Sequence, residues 1–314
     1  MRIQIEPPGR RAPCMRVDDP RTWTHVMPLI DLHSHSTASD GTLTPAALVA
    51  AAAEAGVTHL GLTDHDSMDG IAEAQAAAAA LDITLIPGVE LSTEHDGIIS
   101  DILGYFADPT HPELARLFAA TRLERDERAA RMVGALRDLG ANIDMERVQA
   151  LATGGLITRP HVAQALVETG FVGDRAEAFR RYIGQGRPAF VARVKMRPEE
   201  ACRILRAAGG VPVLAHPVPP RRAFADPKGL LQLLPRLAAA GLGGLECHYP
   251  GYAARTIRWL EVLAGHNGLI PTGGSDYHGP WRPQSLLGAV RTVPADTVER
   301  LRAARGRAAT GGDA

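Results

Sequence analysis

Ile30-Asp31-Leu32-His33-Ser34-His35-Ser36-Thr37-Ala38-Ser39-Asp40 is a short apolar run that ends in two histidines spaced i, i+2, with a carboxylate a few residues on. In an extended chain, residues two apart point to the same side, so His33 and His35 can close on one ion together. Neutral imidazole is the commonest protein metal ligand, and Asp40 adds a harder oxygen donor, a combination that suits Zn, Mn or Fe. An isolated His-x-His says little. Here, however, four further segments also end an apolar run with His, Asp or Glu.

Working outward, short β-rich runs alternate with Ala-rich helical stretches from Leu29 on, the pattern of β/α units. The first strand covers Leu29 to His33, and Thr44-Pro45 supplies an N-cap and N1 proline for a helix through Ala55 that Gly56 stops. His59 to Thr63 reads as a second strand, ending in Thr63-Asp64-His65-Asp66, and a helix through Ala76 to Ala80 follows. Thr84 to Pro87 is a third strand running into Gly88-Val89-Glu90; after a turn at Asp96-Gly97, Ile98 to Leu103 makes a fourth. Between Asp108 and Arg197 the pattern becomes helical, with charged i, i+4 pairs around Leu123 to Leu139 and a helix from His161 to Glu168. The alternation then resumes: a helix at Pro198 to Ala208, a strand Val211 to Ala215 ending at His216-Pro217, and a helix near Leu230 to Ala240. A strand Gly244 to Cys247, a helix through Leu263 and a strand Leu269 to Thr272 complete it, the last ending in Gly273-Gly274-Ser275-Asp276-Tyr277-His278. A final helix, Asp296 to Arg305, closes the barrel.

That makes seven strands, and the expected fold is an α/β barrel built from residues 29–107 and 198–306, with a helical insert at 108–197. Residues 1–28, rich in Arg and Pro, read as a disordered extension, and 307–314 as a fraying tail. In such a barrel the loops after the strands build the catalytic face.

Bulk properties narrow the function. At 314 residues and 45% hydrophobic, the chain can bury a large core. Lys+Arg (34) and Asp+Glu (35) nearly cancel, which argues against a basic field that grips duplex nucleic acid and favours a small anionic substrate held by local charges. Cys14, Cys202 and Cys247 are odd in number and form no Cys-x-x-Cys, so a disulfide framework or thiolate zinc knuckle is not expected; Cys202 and Cys247 read as packing residues. No apolar run approaches the roughly 20 residues of a membrane span, and the N-terminus lacks the apolar core of a signal peptide, so a cytoplasmic protein is expected.

Collected from the strand ends, the candidate residues are His33, His35, Asp40, Asp64, His65, Glu90, Asp101, His216, Asp276 and His278. Unpaired buried carboxylates and imidazoles are costly, and divalent cations would pair them. One ion takes four to six ligands, so this inventory implies two or three ions.

The ordered set of motifs resembles the PHP family, the polymerase and histidinol phosphatase superfamily. It comprises His33-Ser34-His35 with Asp40, Thr63-Asp64-His65, Gly88-Val89-Glu90, Ile102-Leu103-Gly104-Tyr105, Ala215-His216-Pro217 and Gly274-Ser275-Asp276-Tyr277-His278. The resemblance spans nearly all of residues 29–290 and looks closest to the stand-alone phosphoesterase branch with a helical insert. It implies a distorted (β/α)7 TIM-like barrel and hydrolysis of phosphomonoesters by hydroxide formed at Mn, Zn or Fe. The implied substrates are nucleoside 3′,5′-bisphosphates, 5′-nucleotides or the 5′ ends of short RNA. It also implies that His33, His35, Glu90 and Asp276 surround a first ion and that Glu90 bridges to a second, completed by His216 and Asp101. A third would take Asp40, His65 and His278, with Asp64 supporting the adjacent histidine.

Asp101 stands where the family usually carries histidine, an exchange of soft nitrogen for hard anionic oxygen. In the helical region, Thr158-Arg159-Pro160-His161 resembles the family's Arg-x-His element, which reaches a substrate phosphate. Arg offers a planar fork for phosphate oxygens and His a switchable donor. Arg187, in Gly184-Gln185-Gly186-Arg187-Pro188, is a further phosphate candidate. The proton for the leaving oxygen falls to His216, His161 or His278. Two rivals stand beside this reading: a histidinol-phosphate or other small-metabolite phosphatase, disfavoured by the position and size of the insert, and a metal-binding domain without turnover, for which Asp101 is the hint.

Overall fold

The structure, a computed structural model, describes residues 28–95, 98–153, 155–218, 227–280, 282 and 284–305. The expected extension before residue 28, the tail at 307–314, Cys14 and the turn at Asp96-Gly97 lie outside the described residues.

The strands are β1 (Ile30–Asp31), β2 (His59–Leu62), β3 (Thr84–Leu91), β4 (Glu94–His95), β5 (Ile98–Ile99), β6 (Ile102–Tyr105), β7 (Val211–Leu214), β8 (Gly244–His248) and β9 (Ile270–Gly273). Seven of them form one sheet in the order β1-β2-β3-β6-β7-β8-β9, and β4 and β5 pair as a separate hairpin. Leu32 N donates to Gly273 O at 3.1 Å and Asp276 N to His33 O at 2.8 Å, which brings the chain after β9 back to β1 and nearly closes the barrel. Close approach there requires glycine: a Cβ on Gly274 would run into the backbone of His33.

Around the barrel lie α1 (Pro45–Glu54), α2 (Ile71–Ala80), α7 (Pro198–Ala207), α8 (Pro227–Ala239), α9 (Ala254–His266) and α10 (Thr297–Ala304). Between β6 and α7 come α3 (Pro112–Asp138), α4 (Met145–Leu151), α5 (Arg159–Glu168), α6 (Arg175–Ala178) and one π-helical turn, Phe179–Ile183. Thr44 caps α1 as its sequence predicts, its side chain accepting from Ala47 N.

Alternation along the strands sorts the core into layers. Ile30, Leu32, Leu103, Tyr105, Val211 and Val213 share one cluster, joined by Val298 and Leu301 of α10. Their strand neighbours Ile102 and Leu214 face a second cluster with α7, α8 and α9. Helices α3 to α6 bury a third around Met132, Val133, Leu136, Val148 and Leu166. Each fully buried Leu, Val or Met contributes about 1.5–3 kcal/mol relative to exposure. Cys202 and Cys247 are buried and unpaired, packed as expected, and burial pushes the Cys202 thiol up to about 12.

Two expectations need correction. The run Ile98 to Leu103 is not one strand but β5 and β6, broken at Ser100-Asp101, where the Thr93 side chain binds Ser100 O and Thr93 N binds Asp101 Oδ1. In addition, β6 runs antiparallel to both β3 and β7. A parallel return needs a crossover of about a dozen residues or more, usually a helix, and between β3 and β6 the described residues instead form the short paired strands β4 and β5. The reversal carries Asp101, at the start of β6, to the face where the parallel strands end. Among the described residues, no helix is long and apolar enough to cross a membrane.

Candidate active site

Three non-glycine residues in the loops after β2, β7 and β9 adopt the left-handed backbone region: Asp66 (φ 50°), His216 (φ 27°) and Asp276 (φ 51°). Each is pinned. His216 N donates to Glu246 Oε2 at 2.6 Å, Asp276 N to His33 O at 2.8 Å and Asp66 N to Glu90 O at 2.9 Å. Such conformations cost about 1–3 kcal/mol each and persist only where the surroundings over-determine them.

The polar side chains converge on one buried cluster. His33 Nε2 faces Glu90 at 3.4 Å and Asp276 at 3.6 Å, and His35 Nε2 lies 3.3 Å from each of the same two carboxylates. His65 Nδ1 and His216 Nε2 are each 3.0 Å from Glu90, and His278 Nε2 is 3.3 Å from Asp40. Donor atoms fall into three groups, each with members within 4.8 Å of one another: His35, Asp40, His65 and His278; His33, Glu90 and His216; His33, His35 and Asp276. Eight of the nine expected metal donors are thus brought together, all except Asp101.

Several of these atoms lack partners. His33 Nε2, both nitrogens of His35, Asp40 Oδ1, His65 Nδ1 and Glu90 Oε2 are buried and make no hydrogen bond of acceptable geometry. An unsatisfied buried polar group costs about 1–3 kcal/mol. Cations among these atoms would supply what they lack, and a donor set of imidazoles and carboxylates without thiolate fits Mn, Fe or Zn.

Neighbouring groups fix the tautomers. His33 Nδ1 is 3.0 Å from Glu246 Oε1, so its proton sits on Nδ1 and the Nε2 lone pair faces the cluster. His278 Nδ1 lies 2.9 Å from the Asp276 carbonyl and 3.1 Å from Arg282 Nη1, and Nε2 is aimed at Asp40. Tyr249 OH and Arg282 Nη1 donate to Asp276 Oδ2 at 2.7 and 3.1 Å, leaving Oδ1 toward the histidines. Burial opposes charge on His65 and His216, but Glu90 outweighs it and raises both to about 9. Burial and the neighbouring His278 lower His35 to about 3. The surrounding imidazoles overcome burial at Asp40, Glu90 and Asp276 and hold those carboxyls well below their ordinary range.

Other expected residues land differently. Asp64 accepts from Ser36 N (2.8 Å), Ser36 Oγ (2.6 Å) and Ser39 Oγ (2.6 Å), so it braces the loop carrying His35 and Asp40 rather than the adjacent His65. Asp101 Oδ1 accepts from Thr93 N at 3.1 Å and lies 4.0 Å from Lys195 Nζ. Arg159 sits over the faces of Phe179 and Phe190, 5.4 and 6.0 Å from the ring centres, beside a small cavity it shares with Arg125, Arg128 and Thr158. His161 Nδ1 accepts from Thr158 N at 3.1 Å. The loop before α5 is docked on the metal-side loop: Leu156 N donates to Ala38 O at 3.1 Å, and a Cβ on Gly155 would lie 2.5 Å from Thr37 O. Arg187 is exposed in the turn after the π-helical segment, where its backbone N–H donates to Gly184 O. His248, the last residue of β8, is buried with Nδ1 3.0 Å from Thr292 Oγ1.

The sequence reading missed Glu246 and Asp66. Glu246 lies in the middle of β8 among apolar neighbours, where no local pattern marks it. Asp66 follows His65 and is buried between Arg125 and Arg193, a pairing no local pattern marks.

Residues 31–147 match the model of the PHP domain. The chain is 38% identical over 250 residues to a 5′-3′ exoribonuclease of Haemophilus influenzae, a match covering 80% of this chain and 90% of that one. It is 33% identical over 273 residues to a 3′,5′-nucleoside bisphosphate phosphatase of Chromobacterium violaceum, covering 84% and 92%. A solved structure from Bifidobacterium adolescentis, described as a metal-dependent phosphoesterase, superposes with a TM-score of 0.80 at 30% identity over 88% of this chain and 96% of that one. With similarity of this extent laid over a nearly closed seven-stranded barrel and its histidine–carboxylate cluster, the chain belongs to the PHP family and is a hydrolase acting on phosphate esters.

Proposed function

We propose that the chain removes phosphate from nucleotides, with a nucleoside 3′,5′-bisphosphate, a 5′-nucleotide or the 5′ end of a short RNA as substrate, at a centre of two or three divalent cations. The observation that carries this reading is the buried cluster of imidazole and carboxylate atoms without hydrogen-bond partners, beneath a loop that leads into the Arg159–His161 helix start. Bound cations would lower the pKa of water toward ~7 and draw charge off the phosphate oxygens.

The chain's own residues do the rest. His33, His35, Asp40, His65, Glu90, His216, Asp276 and His278 would hold the ions, and Arg159 offers its guanidinium fork to phosphate. Because Thr158 N–H donates to His161 Nδ1, the His161 proton sits on Nε2. Burial lowers this histidine to about 4, so at neutral pH it is an uncharged donor. His216 and His278 aim Nε2 at Glu90 and Asp40 and serve as ligands. His161 Nε2–H is therefore the donor assigned to the substrate.

The test is phosphate release with Mn2+ from AMP, 3′,5′-bisphosphoadenosine, a 5′-phosphorylated oligoribonucleotide and histidinol phosphate. Release from one or more of the nucleotide substrates, lost in His33→Ala, is the expected result. Release from histidinol phosphate alone, or from none of the four, contradicts the proposal.

A further inference from the structure

Lys195 is laid against Asp101 by the backbone. Thr93 and Met196 form a parallel bridge and Glu94 N donates to Met196 O at 3.0 Å, so the segment before α7 runs beside the chain that follows β3. Lys195 Nζ consequently lies 4.0 Å from Asp101 Oδ1, the oxygen that also accepts Thr93 N–H at 3.1 Å. Both side chains are largely shielded, Lys195 at 17% and Asp101 at 11% exposure, so solvent and salt screen the pair only in part.

The donor count shows what this pair does to the metal centre. An imidazole nitrogen has one lone pair and serves one ion. Asp40, His65 and His278 belong to one group only and Asp276 to another, whereas His33 and His35 are each shared between two groups. Once His33 and His35 are committed beside Asp276, the next ion is left with Glu90 and His216. An ion that takes four to six ligands is held weakly by two protein donors and is lost on desalting. Asp101 would be the third donor, since its carbonyl accepts Ala215 N–H at 3.0 Å, next to His216, and the residue after it, Ile102, pairs with Leu91, next to Glu90. Its Oδ1 is instead engaged by Thr93 N–H, and an ammonium already stands beside it, repelling any divalent cation that enters.

We infer that Lys195 is the resident cation of Asp101, so that its ammonium takes the place of one divalent ion and the chain retains two ions where its donor groups would otherwise accommodate three. This inference rests on the metal-dependent reading above.

The experiment counts manganese. The full-length protein is loaded with excess Mn2+, desalted, and measured by plasma mass spectrometry against protein concentration. The wild type is expected to retain about two ions per chain and Lys195→Met about three, following the ligand count of the site. Lys195→Arg, which keeps the positive charge, should match the wild type. Three ions on the wild type, an unchanged count in Lys195→Met, or a gain in Lys195→Arg equal to that in Lys195→Met would overturn the inference. A wild type that retains none overturns the metal-dependent reading itself, and the inference with it, a result distinct from any of those three.

Discussion

Glu246 serves two residues at once, taking the Nδ1 proton of His33 through Oε1 and the backbone N–H of the left-handed His216 through Oε2. Glutamine keeps the size but presents one acceptor and one NH2 group, so one of the two donors loses its partner. Glu246→Gln is expected to weaken metal affinity about 10- to 100-fold, the usual effect of removing a group that orients a ligand histidine. Competition with a chelator measures this, and unchanged affinity would show that the two hydrogen bonds do not position His33. Most donors were legible from sequence because a His or carboxylate at the end of an apolar run is a local pattern. Glu246 was not, because its partner His33 is 213 residues away and a lone glutamate in an apolar strand carries no mark of what it faces.

Strands and helices were legible for the same reason, since periodicity of two or of about 3.6 is written in neighbouring residues. Strand direction is not local. The reversal of β6 follows from a connection too short for a crossover helix, and the alternation of its side chains reads the same either way. Between elements, Asp66 ties the turn after β2 to α3 through Arg125 and to the segment before α7 through Arg193. Asp66→Asn leaves the shielded guanidinium of Arg125 without its anion and that of Arg193 with Glu124 alone, and is expected to cost about 3–5 kcal/mol, measured by urea unfolding. A loss below about 1 kcal/mol would place this contact among weak surface pairs. The pH dependence has a definite sign. The two arginines outweigh burial and depress the Asp66 carboxyl, so its stabilisation is present above its ordinary value of 3.8 and is lost as pH falls through the lower folded value. The Asn variant should therefore show a shallower loss of stability on the acid side.

Over the whole molecule, residues from β1 to the chain beyond β9 meet at one end of a nearly closed barrel. Asp31 makes the closure concrete, accepting from Ser275 N and Gly288 N at 2.8 and 2.9 Å. With 34 basic and 35 acidic residues nearly in balance, the proposed function leaves the substrate's negative charge to be met locally, by Arg159 and by the cations the cluster would hold. The seven-strand count and the strand-end rule anticipated this convergence. What they could not supply was the pairing of Asp101 with Lys195, which depends on how a segment nearly a hundred residues later crosses the hairpin. Diffraction from crystals grown with Mn2+, recorded at the manganese edge, tests the central claim most directly. Anomalous peaks about 2.0–2.3 Å from the facing nitrogens of His33, His35 and His65 and from the carboxylate oxygens of Asp40 and Asp276 are the expected result. A map with no peak there, and with those side chains closed on one another, would contradict it.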